Sequence, residues 1–245
     1  MNPESSIERA VVIVAGGKGL RMGAAVRKQY LALDGVPILV RTVDLFLAFP
    51  GVDRVVLVAP EEDLETIAAD LLKGLPGAER VVLTAGGAER QASVMNGLKA
   101  LGEDFKGVVA VHDGVRPFVT HGEIAHCFEA AEMHGSAILA TPAWETMKRV
   151  DGDEISGTLD RKGVWMAQTP QAFRMEILMK AHEKALEQGF FGTDDASLVE
   201  WVGGRVKVVA CSRFNIKITT PQDLDLAQGY LSRFPLRCHG GCSPS

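Results

Sequence analysis

Arg9-Ala10-Val11-Val12-Ile13-Val14-Ala15 is apolar almost without a break, as a β-strand covered on both faces is. The same kind of run returns at Arg54–Ala59, Arg80–Thr84, Val108–His112 and Val206–Ala210. Amphipathic stretches lie between and after them, and they read as helices at Pro37–Phe49, Glu61–Leu72, Arg90–Leu101, Gly122–His134, Arg174–Gln188, Asp194–Trp201 and Pro221–Leu231. Pro37 suits a first helical turn, and the acids after Pro60 suit a helix N-terminus. Strands alternating with helices predict an α/β fold: a mostly parallel twisted sheet with helices on both faces. Ligands on such sheets bind beyond the carboxyl ends of the strands, so the residues following each run carry the functional reading.

One segment departs from this rhythm. Trp144–Trp165 is polar and turn-rich, and Val150-Asp151-Gly152-Asp153 marks a hairpin tip. The expected organisation is a single domain over residues 1–143 and 166–234, a projecting β-arm over 144–165, and a C-terminal tail over 235–245. An isolated hairpin is marginal in water, so the arm is expected to pack on a second subunit.

Bulk properties narrow the partners. The 245 residues are 47% hydrophobic and 23% charged, with a net charge of -5 and an isoelectric point near 5.7. No global basic field favours nucleic acid or an anionic membrane, so bound phosphate must be held by local cations. No apolar run is long enough to span a bilayer. Met1–Arg9 is polar and contains Glu4 and Glu8, unlike a secretory signal. The four cysteines are few and uneven, which suits reduced thiols in a cytoplasmic protein. Cys238, His239 and Cys242 do not complete a four-ligand zinc site.

After the first strand comes Ala15-Gly16-Gly17-Lys18-Gly19-Leu20-Arg21-Met22-Gly23, then Arg27-Lys28-Gln29-Tyr30. Glycines let successive backbone N–H groups form an anion nest, and Lys18, Arg21, Arg27 and Lys28 add charge beside it. The glycine spacing fits neither common alternative. The dinucleotide fingerprint needs its third glycine one residue earlier than Gly23, and the ATP P-loop needs Ser or Thr where Gly19 stands. That spacing argues against a nicotinamide-dependent oxidoreductase. The full complement of charged residues argues against a non-catalytic relative that keeps only the nucleotide site.

The Ala-Gly-Gly-x-Gly-x-Arg-Met pattern with Lys28-Gln29-Tyr30 resembles the nucleotidyltransferase signature of sugar-nucleotide pyrophosphorylases. Within that superfamily it is similar to the cytidylyltransferases of polyol phosphates. Five further segments match that family in order: Gly86–Val94, His112–Pro117, Glu145–Arg149 with Asp160-Arg161, Gln168–Gln171 with Thr193–Ser197, and Asn215–Thr219. The resemblance implies transfer of CMP from CTP to 2-C-methyl-D-erythritol 4-phosphate, with ribitol 5-phosphate as the alternative acceptor. Thr146-Met147-Lys148-Arg149 favours the former. It also implies roles for particular residues. Arg21 and Lys28 stabilise the transition state. Ala15, Gly16, Gly17, Gly19, Gly87, Ala88 and Ser93 contact the nucleotide, and Asp113 lies beside the phosphates and holds Mg²⁺. Arg116, in the same motif as Asp113, is counted with the substrate-binding residues. Thr146 and Arg161 bind the polyol phosphate across a homodimer interface, and Lys217 helps to position it. Four positions depart from the family habit: Gly16 stands where alanine is frequent, Arg27 where proline is usual, Ala88 where a polar residue is frequent, and Glu145 where aspartate is usual. His112 is expected to be structural, since the chemistry needs no histidine base.

Overall fold

The computed structural model describes residues 7–16 and 27–233. Eleven strands and seven helices are present among them: β1 (Arg9–Val14), β2 (Ala32–Leu33), β3 (Val36–Pro37), α1 (Ile38–Leu47), β4 (Arg54–Ala59), α2 (Leu64–Thr66), β5 (Val81–Ala85), α3 (Arg90–Ala100), β6 (Val108–Asp113), α4 (His121–His134), β7 (Ser136–Pro142), β8 (Lys148–Asp151), β9 (Glu154–Thr158), β10 (Trp165–Arg174), α5 (Met175–Glu187), α6 (Asp195–Trp201), β11 (Lys207–Ala210) and α7 (Pro221–Arg233). Seven strands form one sheet in the order β11-β7-β10-β6-β1-β4-β5. β1 pairs parallel with β4 and β6, β4 with β5, and β7 with β11. β10 alone runs against its neighbours, β6 and β7.

The period-2 alternation of each strand explains the two cores. Val11 and Ile13 of β1, and Val55 and Leu57 of β4, face a core closed by Leu39, Val43 and Phe46 of α1 and Ile124, Cys127 and Phe128 of α4. Ala10, Val12, Val56 and Val58 point the other way, onto Val94 and Leu98 of α3, Leu178 and Ala181 of α5, and Leu198 and Val199 of α6. Burial on both faces is why these strands read as unbroken apolar runs. Helix ends follow local chemistry. Thr120 and Glu123 form a reciprocal capping box on α4, and Gly135, at φ 88°, ends that helix in the left-handed conformation.

The five expected strands are present, as are helices close to the expected bounds, except that Glu61–Leu71 is a chain of 3₁₀, α and π turns. Four strands were not anticipated, and two of them, β2 and β3, are only two residues long. β7 (SAILATP) is short on β-branched residues, and β10 (WMAQTPQAFR) is interrupted by polar residues and a proline. A register shift between Ala167 and Gln171 accommodates that interruption. β8 and β9 form a separate two-stranded sheet whose turn is Gly152-Asp153, with Gly152 at φ 61°. The glycine therefore takes the first central position, one residue earlier than an Asp151-Gly152 centre requires. The tail over 235–245 lies outside the described residues.

α3 crosses the sheet closely at Gly97, where a Cβ would stand 2.4 Å from Val12 Cγ1 and 2.9 Å from Val58 Cγ2. Gly97→Val should therefore destabilise the fold by about 1–3 kcal/mol, the usual cost of overpacking a filled core. A lower urea midpoint at unchanged m-value would show it, and an unchanged midpoint would contradict this packing.

Candidate active site

β6 ends in His112-Asp113, both buried. The Asp113 carboxylate gathers cations from three parts of the chain. Lys217 Nζ lies 2.9 Å from Oδ2, Arg116 Nε 3.3 Å from Oδ2, and Arg90 Nε 3.6 Å from Oδ1. Burial by itself would raise the Asp113 pKa, but the charges of Lys217, Arg90 and Arg116 outweigh it and hold the group below the usual carboxylate range. Asp113 is thus a carboxylate at any physiological pH.

Backbone and amide contacts set this geometry. Ile218 N–H donates to Val115 O at 3.0 Å, which draws the 215–219 segment against the loop after β6. Arg116 donates to Asn215 O at 2.8 Å, and buried Asn215 donates from Nδ2 to Thr169 O at 2.8 Å. His112 Nε2 lies 3.0 Å from Arg116 O, so it must carry the proton, leaving Nδ1 to accept from the Thr169 hydroxyl at 3.2 Å. The same hydroxyl accepts from Asp113 N–H at 3.0 Å. Burial pushes the His112 pKa down to about 4, which keeps the ring neutral. His112 therefore braces the loop, the structural role its position suggested.

The end of β1 and the Gly86-Gly87 loop lie at the same edge. Ala15 N–H donates to Val58 O at 2.7 Å, and Ala15 O accepts from the buried Gln29 amide at 2.8 Å. Gln29 belongs to the 3₁₀ turn Lys28–Tyr30, so this bond pins the turn that carries Lys28 beneath the end of β1. A Cβ built on Gly16 would lie 3.5 Å from Ser93 Oγ, which places Gly16 beside the residue that bonds the Gly86-Gly87 loop. Ser93 Oγ accepts from Gly87 N–H at 3.0 Å and donates to Glu89 O at 3.1 Å, so in this state it shapes that loop. Gly87 and Ala88 are exposed above it. Arg21, Gly17 and Gly19, with Lys18, fall outside the described residues.

Arg27 differs from expectation. It is not a cation free for phosphate, because its guanidinium pairs with Asp63 and, at 2.5 Å, with Glu62. Its backbone sits at φ -64°, the angle proline would impose. The departure from proline therefore leaves the path of the chain unchanged. Thr146 and Arg161 stand apart from the Asp113 cluster. Both are exposed on the arm, where Arg161 donates to Trp144 O.

The site also contains buried charges to which the sequence assigned no role. Arg90 NH1 lies 2.8 Å from Asp195 Oδ2, and Asp195 Oδ1 lies 3.1 Å from His182 Nε2. Arg90 and Asp195 each sit within a quoted motif, at the first turn of a helix near the carboxyl edge, and that position was the available signal.

A cation-ringed carboxylate and a glycine-rich loop at the carboxyl edge of a sheet covered on both faces define an α/β nucleotidyltransferase. The family description "IspD: 2-C-methyl-D-erythritol 4-phosphate cytidylyltransferase" matches residues 9–233. The chain belongs to that family. A 2-C-methyl-D-erythritol 4-phosphate cytidylyltransferase of Syntrophus aciditrophicus is 46% identical over 223 residues, covering 91% of this chain and 95% of the relative. One of Halalkalibacterium halodurans is 44% identical over 226 residues, covering 92% and 98%. A solved 4-diphosphocytidyl-2C-methyl-D-erythritol synthase of Anaerococcus prevotii superposes with a TM-score of 0.82 at 33% identity, over 93% of this chain and 97% of that one. The enzyme of Thermus thermophilus gives 0.76 at 34%, over 92% and 100%.

Proposed function

We propose that the cleft beside Asp113 holds CTP and a polyol phosphate together, and that its cations lower the cost of joining two polyanions. The reaction is that of the family: CMP passes from CTP to 2-C-methyl-D-erythritol 4-phosphate, giving 4-diphosphocytidyl-2-C-methyl-D-erythritol and pyrophosphate. A phosphate oxygen of the acceptor attacks the α-phosphorus of CTP, a new P–O bond forms, and the α–β bridge oxygen leaves with pyrophosphate. No protein nucleophile is needed. The obstacle is repulsion, about 4 kcal/mol for two unit charges at 4 Å in an effective dielectric near 20. The observation that carries this reading is the convergence of Lys217, Arg116 and Arg90 on one carboxylate at the end of β6.

The residues divide the work. Lys28, and Arg21 in the first loop, stabilise charge developing on the α-phosphoryl group and the departing pyrophosphate. Lys217 moves from Asp113 to the incoming monophosphate and aligns it. Ser93 and the main chain at Ala15, Gly16, Gly87 and Ala88 read the cytosine, whose amino and carbonyl groups suit one hydroxyl and backbone partners.

Magnesium fits this donor set. Among the described residues no three His, Cys, Asp or Glu side chains form a metal cage, and a magnesium ion shared between one carboxylate and substrate phosphates needs none. Asp113 is the residue to hold it. When bound, the ion neutralises phosphate charge and acts as a Lewis acid on the phosphoryl oxygens.

Thr146 and Arg161 act on the polyol phosphate from the arm of a second subunit. The arm supports this with exposed apolar side chains, Val150 (54%) and Ile155 (64%), that a partner would cover. A cytoplasmic location suits the sparse cysteines, and among the described residues no helix is long and apolar enough to cross a membrane.

Pyrophosphate release from CTP, measured with 2-C-methyl-D-erythritol 4-phosphate and with ribitol 5-phosphate, tests the acceptor. Preference for the pentitol would overturn the reading. In the same assay Arg161→Ala should mainly raise KM for the polyol phosphate, leaving KM for CTP close to wild type. Unchanged kinetics for the acceptor would remove Arg161 from the site.

A further inference from the structure

Arg90 reaches Asp113 from the first turn of α3, and beyond its charge the roles above give it no separate task. Its guanidinium joins two carboxylates from different elements, with NH1 2.8 Å from Asp195 Oδ2 and Nε 3.6 Å from Asp113 Oδ1. The Asp195 end is the anchored one. Asp195 and His182 are each 1% exposed and lie 3.1 Å apart, so the carboxylate is fixed from behind. The first turn of α6 is itself held. Asp194 and Ser197 form a capping box, and Ala196 N–H donates to Gln171 Oε1 at 3.0 Å. The turn that carries Arg90 is clamped to the same region through the next residue. Gln91 donates from Nε2 to Phe190 O at 3.1 Å and accepts at Oε1 from Gly192 N–H at 3.2 Å.

The Asp113 end is looser. A separation of 3.6 Å is an electrostatic contact, too long for a hydrogen bond. The Asp195 contact is an ion pair whose angle leaves Oδ2 without a formal hydrogen bond. The guanidinium is thus stretched between two charges, and the deeper one is nearer.

The geometry points to Arg90 as a positioning residue for Asp113, a cation tethered by Asp195 and His182 that turns Oδ1 toward the cleft without capping it. Lys217 and Arg116 both occupy the Oδ2 side. An untethered arginine beside the same carboxylate would close into the bidentate fork that guanidinium and carboxylate favour. Both oxygens would then be engaged by the guanidinium, and Asp113 would keep fewer lone pairs for a ligand. The Asp195 tether holds the fork back and keeps its charge where it still orients Oδ1. This inference rests on Asp113 being functional, as argued above.

The test uses Arg90→Gln, Asp195→Asn and Asp113→Asn in the full chain, with the double variants Arg90→Gln/Asp113→Asn and Asp195→Asn/Asp113→Asn. Steady-state kcat and KM for both substrates are measured beside thermal midpoints. Arg90→Gln should lower kcat by about 10–100-fold, the usual loss when a residue orienting a ligand-binding side chain is removed. Asp195→Asn should lower kcat in the same direction by a smaller factor. Neither change should cost anything further once Asp113 is asparagine, because both act through that carboxylate. Losses that multiply in the double variants would overturn the inference, since Arg90 would then act on substrate or fold independently. So would wild-type kcat in Arg90→Gln alongside a deficient Asp113→Asn. Wild-type turnover in Asp113→Asn would sink the underlying reading, and this inference with it. Should Arg90→Gln fail to fold, Arg90→Lys keeps the charge but loses the planar fork whose separate nitrogens face the two carboxylates. It should lose kcat at a near-native thermal midpoint, and wild-type kcat there would overturn the proposal.

Discussion

Asp113→Asn is expected to fold and to lose roughly 10²–10³-fold in kcat, the scale of removing one preorganised electrostatic group. The substitution keeps size and shape and removes one charge. Lys217 and Arg116 then lose their carboxylate and Arg90 keeps only Asp195, so the local field becomes more positive. A more positive cleft attracts a triphosphate at least as well as before. KM for CTP should therefore stay level or fall while kcat collapses, the pattern of a group needed in the transition state more than in binding. A purely structural Asp113, present only to pair with Arg116, predicts the reverse: a lower thermal midpoint and an intact kcat. Steady-state kinetics beside a thermal melt separate the two, and intact kcat would end the assignment.

Lys28→Ala should lower kcat by roughly 10²-fold or more, which is ~2.7 kcal/mol of transition-state stabilisation, and Arg21→Ala should do likewise. Lys28 is expected to matter because its turn is anchored on both sides. Gln29 ties it to the end of β1, and Tyr30 donates to Asp63 at 2.6 Å. Arg27 adds its pairs with Glu62 and Asp63. Placement this firm suits a group whose value depends on aim. KM should change less than kcat, because Lys28 contributes most to the additional charge that develops as the α–β bond breaks. Near-wild-type kcat in Lys28→Ala would remove it from the catalytic set.

β1, β4 and β6 were legible because burial on both faces selects one residue type, and β5 and β11 were legible from valine-rich runs although both edge strands are partly exposed. β7 and β10 were not legible. β10 needs Thr169 and Gln171 for hydrogen bonds to Asp113 and the start of α6, and Gln168 accepts from Cys211, so these polar residues erase the apolar run. Asp113 and Lys217 were found because they sit in short motifs after strands, where chemistry concentrates. Their distance of 2.9 Å could not be read, since it depends on a backbone bond between residues 115 and 218. Arg90, Asp195 and His182 stayed hidden for the same reason. A buried ion pair made by residues far apart in sequence leaves no periodic trace, and each member alone resembles a helix-end charge.

The base of the arm is closed on itself. Trp165 at the start of β10 pairs with Pro142 at the end of β7, and Ala143 N–H donates to Val164 O at 3.0 Å. The chain thus leaves and re-enters the sheet at one point, beside the edge that carries Asp113. Had β10 run the other way, its start would lie at the opposite rim, roughly 20 Å off for six residues at ~3.3 Å each. Residues 143–164 therefore behave as a cassette. A loop of another length or acceptor chemistry could be spliced between the same two posts while both strands, and the nucleotide half of the cleft, kept their places.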